Sequence, residues 1–252
     1  MYSPYLASTL DQLVPKGGIK SLVMVVVYRD RVSQLEEFLK TVPDYLETRG
    51  YDWRIIIAEQ RDGSPFNRGL MINMGYLSGR RLFPQMTHTV FSDVDTYPVD
   101  RSDSFDYSGI KGGVNHIFCG YEQNVGGIVN FDNTVFESIN GFPNHLWGWG
   151  HEDFAAKRRL DAIGVTVTRT NTVFKYREDH RERFRQYDHD RDMRYKSTNR
   201  VKAYKDTSKT SGLNMMPLYR ECFTKLGERI IKIRYDFDDS IIDTTMDQRP
   251  SC

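Results

Sequence analysis

The chain has 252 residues, 39% hydrophobic and 27% charged, with 35 Lys and Arg against 34 Asp and Glu. That composition and length suit one soluble globular domain with elaborations, or at most two small ones, and a net charge of +1 gives no bulk attraction for a nucleic-acid backbone. No apolar run has the length of a membrane span, the first residues lack the charged start and apolar core of a signal peptide, and Cys119, Cys222 and Cys252 are odd in number and far apart, which favours free thiols in a reducing compartment over a disulfide framework.

In chain order, "SLVMVVVYRDR" from Ser21 is β-branched and apolar, then breaks into charge, which predicts a central strand followed by a loop carrying Arg29 and Arg31. "VSQLEEFLKTVPDYLETR" places Leu35, Phe38, Leu39 and Val42 at helical spacing, with a bend or an end near Pro43. "DWRIIIAEQ" predicts a second strand, closing on Glu59 and Gln60. "FNRGLMINMGYLSGRRL" predicts a second helix with Leu70, Met71, Met74 and Leu77 on one face, and "THTVFSDVD" a third strand that ends in Asp93 and Asp95. Strand, helix, strand, helix, strand is the pattern of a parallel sheet with crossover helices, in which ligands bind beyond the carboxyl ends of the strands. Arg29, Arg31, Glu59, Gln60, Asp93 and Asp95 all fall on that rim.

After Pro98 the texture changes. Residues 100–145 are rich in Gly, Asn, Phe and Asp, consistent with irregular chain and short strands. "HEDFAAKRRLDAIG" predicts a helix with acids in its first turn and Gly164 beyond its end. "VTVTRTNTVFKY" alternates as strand or hairpin. Residues 177–212 are very polar, with "TSKTSG" as loop, and "RIIKIRYDF" near the end alternates as an edge or return strand.

Two carboxylates at Asp-x-Asp spacing repel each other unless a positive group sits beside them. They offer hard oxygens to Mg²⁺ or Mn²⁺ holding a diphosphate, and a solvated turn would carry the same pair. Arg68, Arg29 and Arg31 match phosphate oxygens, or serve as surface ion pairs. "HLWGWGHEDF" is the most informative stretch: glycines permit tight backbone, indole faces stack on sugars, and His151, Glu152 and Asp153 follow at once. An acid beside a sugar platform suits a base that takes the proton of an attacking hydroxyl. A packed aromatic corner before an acidic helix start would look the same.

"FNRG", "FSDVD", the Gly126–Gly127 pair, "INGFPNHLWGWGHED" and "HDRD" come in that order. Together they resemble the β-1,4-galactosyltransferase family and its N-acetylgalactosaminyl relatives, over roughly Ser21 to Phe237. The resemblance implies an α/β glycosyltransferase-A type fold, a Rossmann-like, mostly parallel sheet with flanking helices and a mobile C-terminal loop region. One catalytic domain is expected over 1–252, with an N-terminal extension (1–20), a nucleotide-sugar-binding half (21–99), an acceptor-binding and catalytic half (100–237) and a tail (238–252). It implies an inverting, metal-dependent transfer of galactose or N-acetylgalactosamine from a UDP-sugar donor to a glycan or glycoside acceptor. By motif, Asp95, His189 and Gln186 are the implied metal ligands, for Mn²⁺ or Mg²⁺, which would be the positive partner of the two acids. Asp153 is the implied base, with Glu152 beside it. The implied donor contacts are Tyr28, Arg29, Arg31, Phe66, Arg68, Asp93, Val94, Asn124 and Trp149. The implied acceptor contacts are Tyr121, Gly127, Trp149, Glu152 and Asp153.

The chain departs from the family in three places. Phe154 stands where a third acid is usual. Gln186 stands where a methionine is found in vertebrate members, and its hard amide oxygen would suit Mg²⁺ better than a thioether. The family's tail, anchor and stem are missing from the sequence, which implies either an excised domain from the Golgi lumen or a soluble, cytoplasmic or viral form; the lack of paired cysteines favours the second. Asn124 stands two residues before Gly126, where the family carries tyrosine for galactose and smaller residues for N-acetylgalactosamine. A sugar-binding or nucleotide-sugar-binding protein without turnover remains the alternative, opposed by the presence of Asp95, Asp153 and His189. A nucleic-acid partner is opposed by the acids mixed through Arg177 to Arg194.

Overall fold

A computed structural model of the chain describes residues 18–97, 106–118, 123–169 and 194–237. Its elements are β1 (Ser21–Tyr28), α1 (Val32–Thr48), β2 (Asp52–Gln60), α2 (Arg68–Leu82), β3 (His88–Asp93), β4 (Val114–Phe118), β5 (Ile128–Asp132), α3 (Asn133–Ser138), α4 (Glu152–Ala162), β6 (Val167–Arg169), α5 (Lys196–Lys205), β7 (Arg220–Lys225) and β8 (Ile230–Asp236).

The strands form one mixed sheet in the order β6-β4-β5-β3-β1-β2-β8-β7. Its centre is parallel: β1 pairs with β2 and with β3, and β2 with β8. β5 runs antiparallel to both β3 and β4. The register sets Tyr28 opposite Glu59 and Val27 opposite Asp93, so the first three strands release their polar ends at one rim, as the sequence predicts. Because β5 runs the other way, the chain enters it at that same rim, through Gly126 and Gly127.

The alternation of β1 splits the core. Val23, Val25 and Val27 face a cluster with Leu70, Met71 and Met74 of α2, while Leu22, Met24 and Val26 face one with Leu35, Phe38 and Val42 of α1. Successive side chains therefore bury on opposite faces, which is why the strand has no polar face. α2 lies close to the sheet, since a Cβ on Gly75 would sit 2.3 Å from Val25 Cγ1. Asn67 caps α2 by accepting from the Leu70 N–H at 2.9 Å.

Several expectations are refined or corrected. α1 runs through Pro43 without ending. Residues 100–145, expected as irregular chain with short strands, also hold the short helix α3, started by Asp132 accepting from the Thr134 N–H. The polar stretch before Asp206 contains α5. "RIIKIRYDF" is not an edge: β8 lies between β2 and β7, because β7 covers its outer side. Cys222, expected as a free thiol, is disulfide-bonded, with a partner outside the described residues. The reading of a soluble form from unpaired cysteines loses that support.

Candidate active site

The rim acids are held by guanidinium groups. Arg31 Nη1 donates to Asp95 Oδ2 at 2.7 Å, and Thr96 donates to Asp95 Oδ1 at 3.3 Å. Asp95 is only 6% exposed. Arg68, the first residue of α2, donates from Nε to Asp93 Oδ1 at 2.8 Å and lies 3.5 Å from Glu152 Oε1 through Nη1. Its Nη2 is buried with no hydrogen-bond partner. Burial works against the Arg68 charge, but Asp93, Glu152 and Asp153 more than offset it and keep the group protonated. Arg29 donates to the Ser64 carbonyl at 2.7 Å and lies over the Phe66 ring at 5.1 Å. Tyr28 and Val94 put their side chains in the core beneath.

The glycine-rich tryptophan loop is fastened to α2. Asn67 Nδ2 donates to the Asn144 carbonyl, and Asn73 Nδ2 to the Phe142 carbonyl and Asn144 Oδ1, each at 2.7 Å. Gly148 N–H donates to the Phe66 carbonyl at 2.8 Å. The loop then turns through His151, whose φ of 75° is left-handed, and α4 begins at Glu152. Glu152 and Asp153 thus occupy the first turn, where the helix dipole favours negative charge. Burial, with Asp153 next to it, still pushes the Glu152 carboxyl up to about 7, and burial raises Asp153 too.

Asp153 sits against the turn that enters β5. Its Oδ1 accepts from the Phe154 N–H at 2.7 Å, and a Cβ on Gly126 would lie 2.6 Å from Oδ2. The turn is braced from behind. Arg169 Nη1 donates to His116 Nδ1 at 2.6 Å, so the imidazole is protonated at Nε2, which donates to the Gly126 carbonyl at 2.8 Å. Asn124 Oδ1 accepts from the Gly126 N–H at a long 3.4 Å, and the Asn124 carbonyl accepts from Arg169.

The structure therefore brings Arg68, Asp93, Glu152, Asp153 and Gly126 together, with Arg31 on Asp95 and Arg29 on Phe66 alongside. Trp149, 43% exposed, borders this cluster with Lys196 Nζ 4.8 Å from its ring centre. Tyr121, Gln186 and His189 lie outside the described residues. Among the described residues no three His, Cys, Asp or Glu side chains converge as metal ligands, so Asp95 is the one expected ligand on view. Sequence reasoning missed Arg159, His116 and Arg169. Arg159 is 2% exposed and binds Asp206 through Nε and Nη2 at 2.7 and 2.8 Å.

The residues that build this cluster fall inside two matched family profiles, described as the N-terminal region of glycosyl transferase group 7 (residues 16–107) and the N-terminal domain of galactosyltransferase (residues 106–189). The chain belongs to glycosyltransferase group 7. Among its group 7 relatives, the xylosylprotein 4-β-galactosyltransferase of Caenorhabditis elegans is 32% identical over 157 residues, 60% of this chain and 53% of the relative. β-1,4-Galactosyltransferase 1 of Mus musculus is 27% identical over 229 residues, 82% of this chain and 55% of the relative. The chain spans about half the length of these curated relatives. The catalytic domain of Drosophila β1,4-galactosyltransferase 7, solved with xylobiose, superposes with a TM-score of 0.70 at 23% identity, covering 87% of this chain and 95% of that one. A variant of that enzyme, solved with manganese, UDP-Gal and xylobiose, gives 0.69 at 24% identity and the same coverage. The fold of this group 7 chain is the glycosyltransferase-A type. No helix among its described residues is long and apolar enough to cross a membrane.

Proposed function

We propose that this chain transfers galactose from UDP-galactose to a sugar hydroxyl, with a divalent metal and with inversion at the anomeric carbon. The observation that carries this reading is Arg68, which joins the Asp93 end of β3 to the Glu152 start of α4. Groups for donor and for acceptor, distant in sequence, meet in one cluster of acids. A buried Arg68 Nη2 without a partner in such a place suits a substrate oxygen.

In this reading Asp153 takes the proton of the acceptor hydroxyl as that oxygen attacks the donor sugar opposite the diphosphate. Its contact with Gly126 holds the accepting oxygen against the turn where the donor sugar would lie. Glu152, raised toward neutrality by burial, would hydrogen-bond sugar hydroxyls, and Trp149 would stack on a sugar face. Arg29 with Phe66, and Arg31, would hold the nucleotide. The donor set fits a hard divalent ion such as manganese, the metal of the Drosophila neighbour: a rim carboxylate from Asp95, with His189 and Gln186 from outside the described residues. Such an ion, when bound, offsets the charge of the departing diphosphate.

Asn124 leaves more room beside the donor sugar than a tyrosine would. With its Oδ1 on the Gly126 N–H, size is the property that would admit an N-acetyl group. The deciding experiment incubates the purified chain with UDP-galactose, manganese and a panel of glycosides, and follows UDP release and product linkage. Asp153→Asn should lower turnover about 10²–10⁴-fold with donor binding little changed. Undiminished transfer in EDTA, or near-normal turnover of that variant, overturns the reading.

A further inference from the structure

α5 runs alongside the tryptophan loop and the first turn of α4, which carries Glu152 and Asp153. Lys196 lies over Trp149, Asn199 Nδ2 donates to the Trp147 carbonyl at 2.9 Å, and Tyr204 packs on Phe154 with ring centres 5.2 Å apart. Asn199 and Ala203 are the buried pair of the helix, four residues apart. Lys196, Arg200 and Tyr204 form the adjacent stripe at the same spacing. The stripe thus follows Trp149, His151 and Phe154 in register. His151, beside Asp153, is held below its ordinary value first by burial, and Arg200 and Lys196 add to this, which locates both cations near it.

The charge of this helix is one-sided. Lys196, Arg200, Lys202 and Lys205 fall within Lys196–Lys205, which has no acid. Among the described residues none of these four is paired with a carboxylate. Elsewhere in the described residues some cations, Arg31, Arg54, Arg68, Arg80, Arg81 and Arg159 among them, each hold an acid and others do not; what sets α5 apart is that four such cations lie on ten residues without an acid, two of them beside Trp149 and His151. The chain as a whole balances 35 basic against 34 acidic residues. Lys196 already lies over Trp149, and an acidic acceptor would complement this cluster of positive charge where a neutral sugar would not.

We propose that the acceptor of this enzyme is an anionic glycan, whose carboxylate, sulfate or phosphate group lies against Lys196 and Arg200 while the neighbouring ring stacks on Trp149. The proposal rests on the galactosyl-transfer reading and narrows its substrate class. Cations at an exposed site favour such a group by several-fold each rather than by orders of magnitude, and salt weakens the effect.

The test uses methyl β-glucoside, its 6-sulfate, its 6-phosphate and methyl β-glucuronide as acceptors, with UDP-galactose and manganese. The ratio of kcat/KM for an anionic glycoside to that for methyl β-glucoside should be about tenfold in favour of the anion at low salt. It should collapse toward one as ionic strength approaches about 0.5 M. The three anionic compounds separate carboxylate from sulfate and phosphate. In the Lys196→Gln, Arg200→Gln double variant the same ratio should fall about tenfold, a change that a general loss of folding would not produce. The salt dependence of the unmodified enzyme tests the idea even where that variant fails to fold. If UDP-galactose is not consumed with any acceptor, the galactosyl-transfer reading fails. The anion preference is then read from the quenching of tryptophan fluorescence by the four glycosides in the presence of UDP and manganese. Equal response to neutral and anionic glycosides in both assays overturns the proposal. So does a ratio unmoved by the double variant, or binding of α5 to phosphatidylserine vesicles with no acceptor preference.

Discussion

Arg159 and Asp206 form a two-pronged ion pair with both side chains sealed from solvent, at 1% and 0% exposure. The same guanidinium donates to the carbonyls of Gly141 and Ser211 at 2.9 and 2.7 Å. It thereby ties α4, which carries Glu152 and Asp153, to both loops that flank the tryptophan platform. Removing one partner of a buried pair leaves an uncompensated charge, so Asp206→Ala should cost about 3–5 kcal/mol. Urea unfolding measures this, and a loss under about 1 kcal/mol would show that water reaches the site.

Glu152 supplies a pH signature. Its folded carboxyl titrates near 7, above the ordinary 4.5, because of burial and then Asp153. The folded state therefore holds this proton more tightly than the unfolded chain does. The stabilisation is fully present below about pH 4.5 and is lost as pH rises through about 7. Glu152→Gln should flatten that fall by up to roughly 3 kcal/mol, shared with the neighbouring Asp153. Denaturation midpoints of both proteins from pH 5 to 8 should converge at the acid end and separate at the alkaline end. Parallel curves would contradict the assignment.

Gly126→Ala separates chemistry from stability. The added methyl would fall 2.6 Å from Asp153 Oδ2, the mobile end of a side chain, so the carboxylate swings aside at small folding cost. Turnover should drop at least tenfold while the melting temperature changes by no more than a few degrees. A large loss of stability with normal kcat per folded molecule would place the strain in the backbone instead.

Asn124→Tyr should move the donor ratio. If Asn124 leaves room for an acetamido group, UDP-N-acetylgalactosamine is used by the unmodified chain at a rate comparable to UDP-galactose, and the tyrosine suppresses it several-fold. Competition between the two donors gives the ratio directly. Exclusive use of UDP-galactose by the unmodified chain defeats this reading of the residue.

The legibility of the molecule follows from burial. The first three strands and two helices declare themselves because both faces of β1 are buried and α1 keeps its apolar spacing. β4, β5 and α3 are only five or six residues long, too short for a period to emerge. α5 is hidden because it buries only Asn199 and Ala203, neither of which signals an apolar stripe. Residues on motifs, such as Asp93, Asp153 and Trp149, stand out in the sequence. Their partners do not: nothing in "KRRLD" separates buried Arg159 from a solvated cation, and nothing in "FNRG" says that Arg68 reaches Asp93 and Glu152. Such pairings are set by which elements the sheet order brings side by side.

α2 is pressed on β1 through Gly75 and also supplies Asn67, Arg68 and Asn73 to the site. The groups that would grip the donor thus sit on the most deeply buried elements, the kind that open near the high end of the free-energy range. The face that the proposed acceptor would meet is completed by α5, whose buried residues are Asn199 and Ala203, so this side rests on fewer buried groups than the sheet does. Warming such a molecule would loosen its hold on one substrate well before the other. On the proposed function, such a molecule just short of melting would still bind nucleotide sugar and would begin to hand it to water.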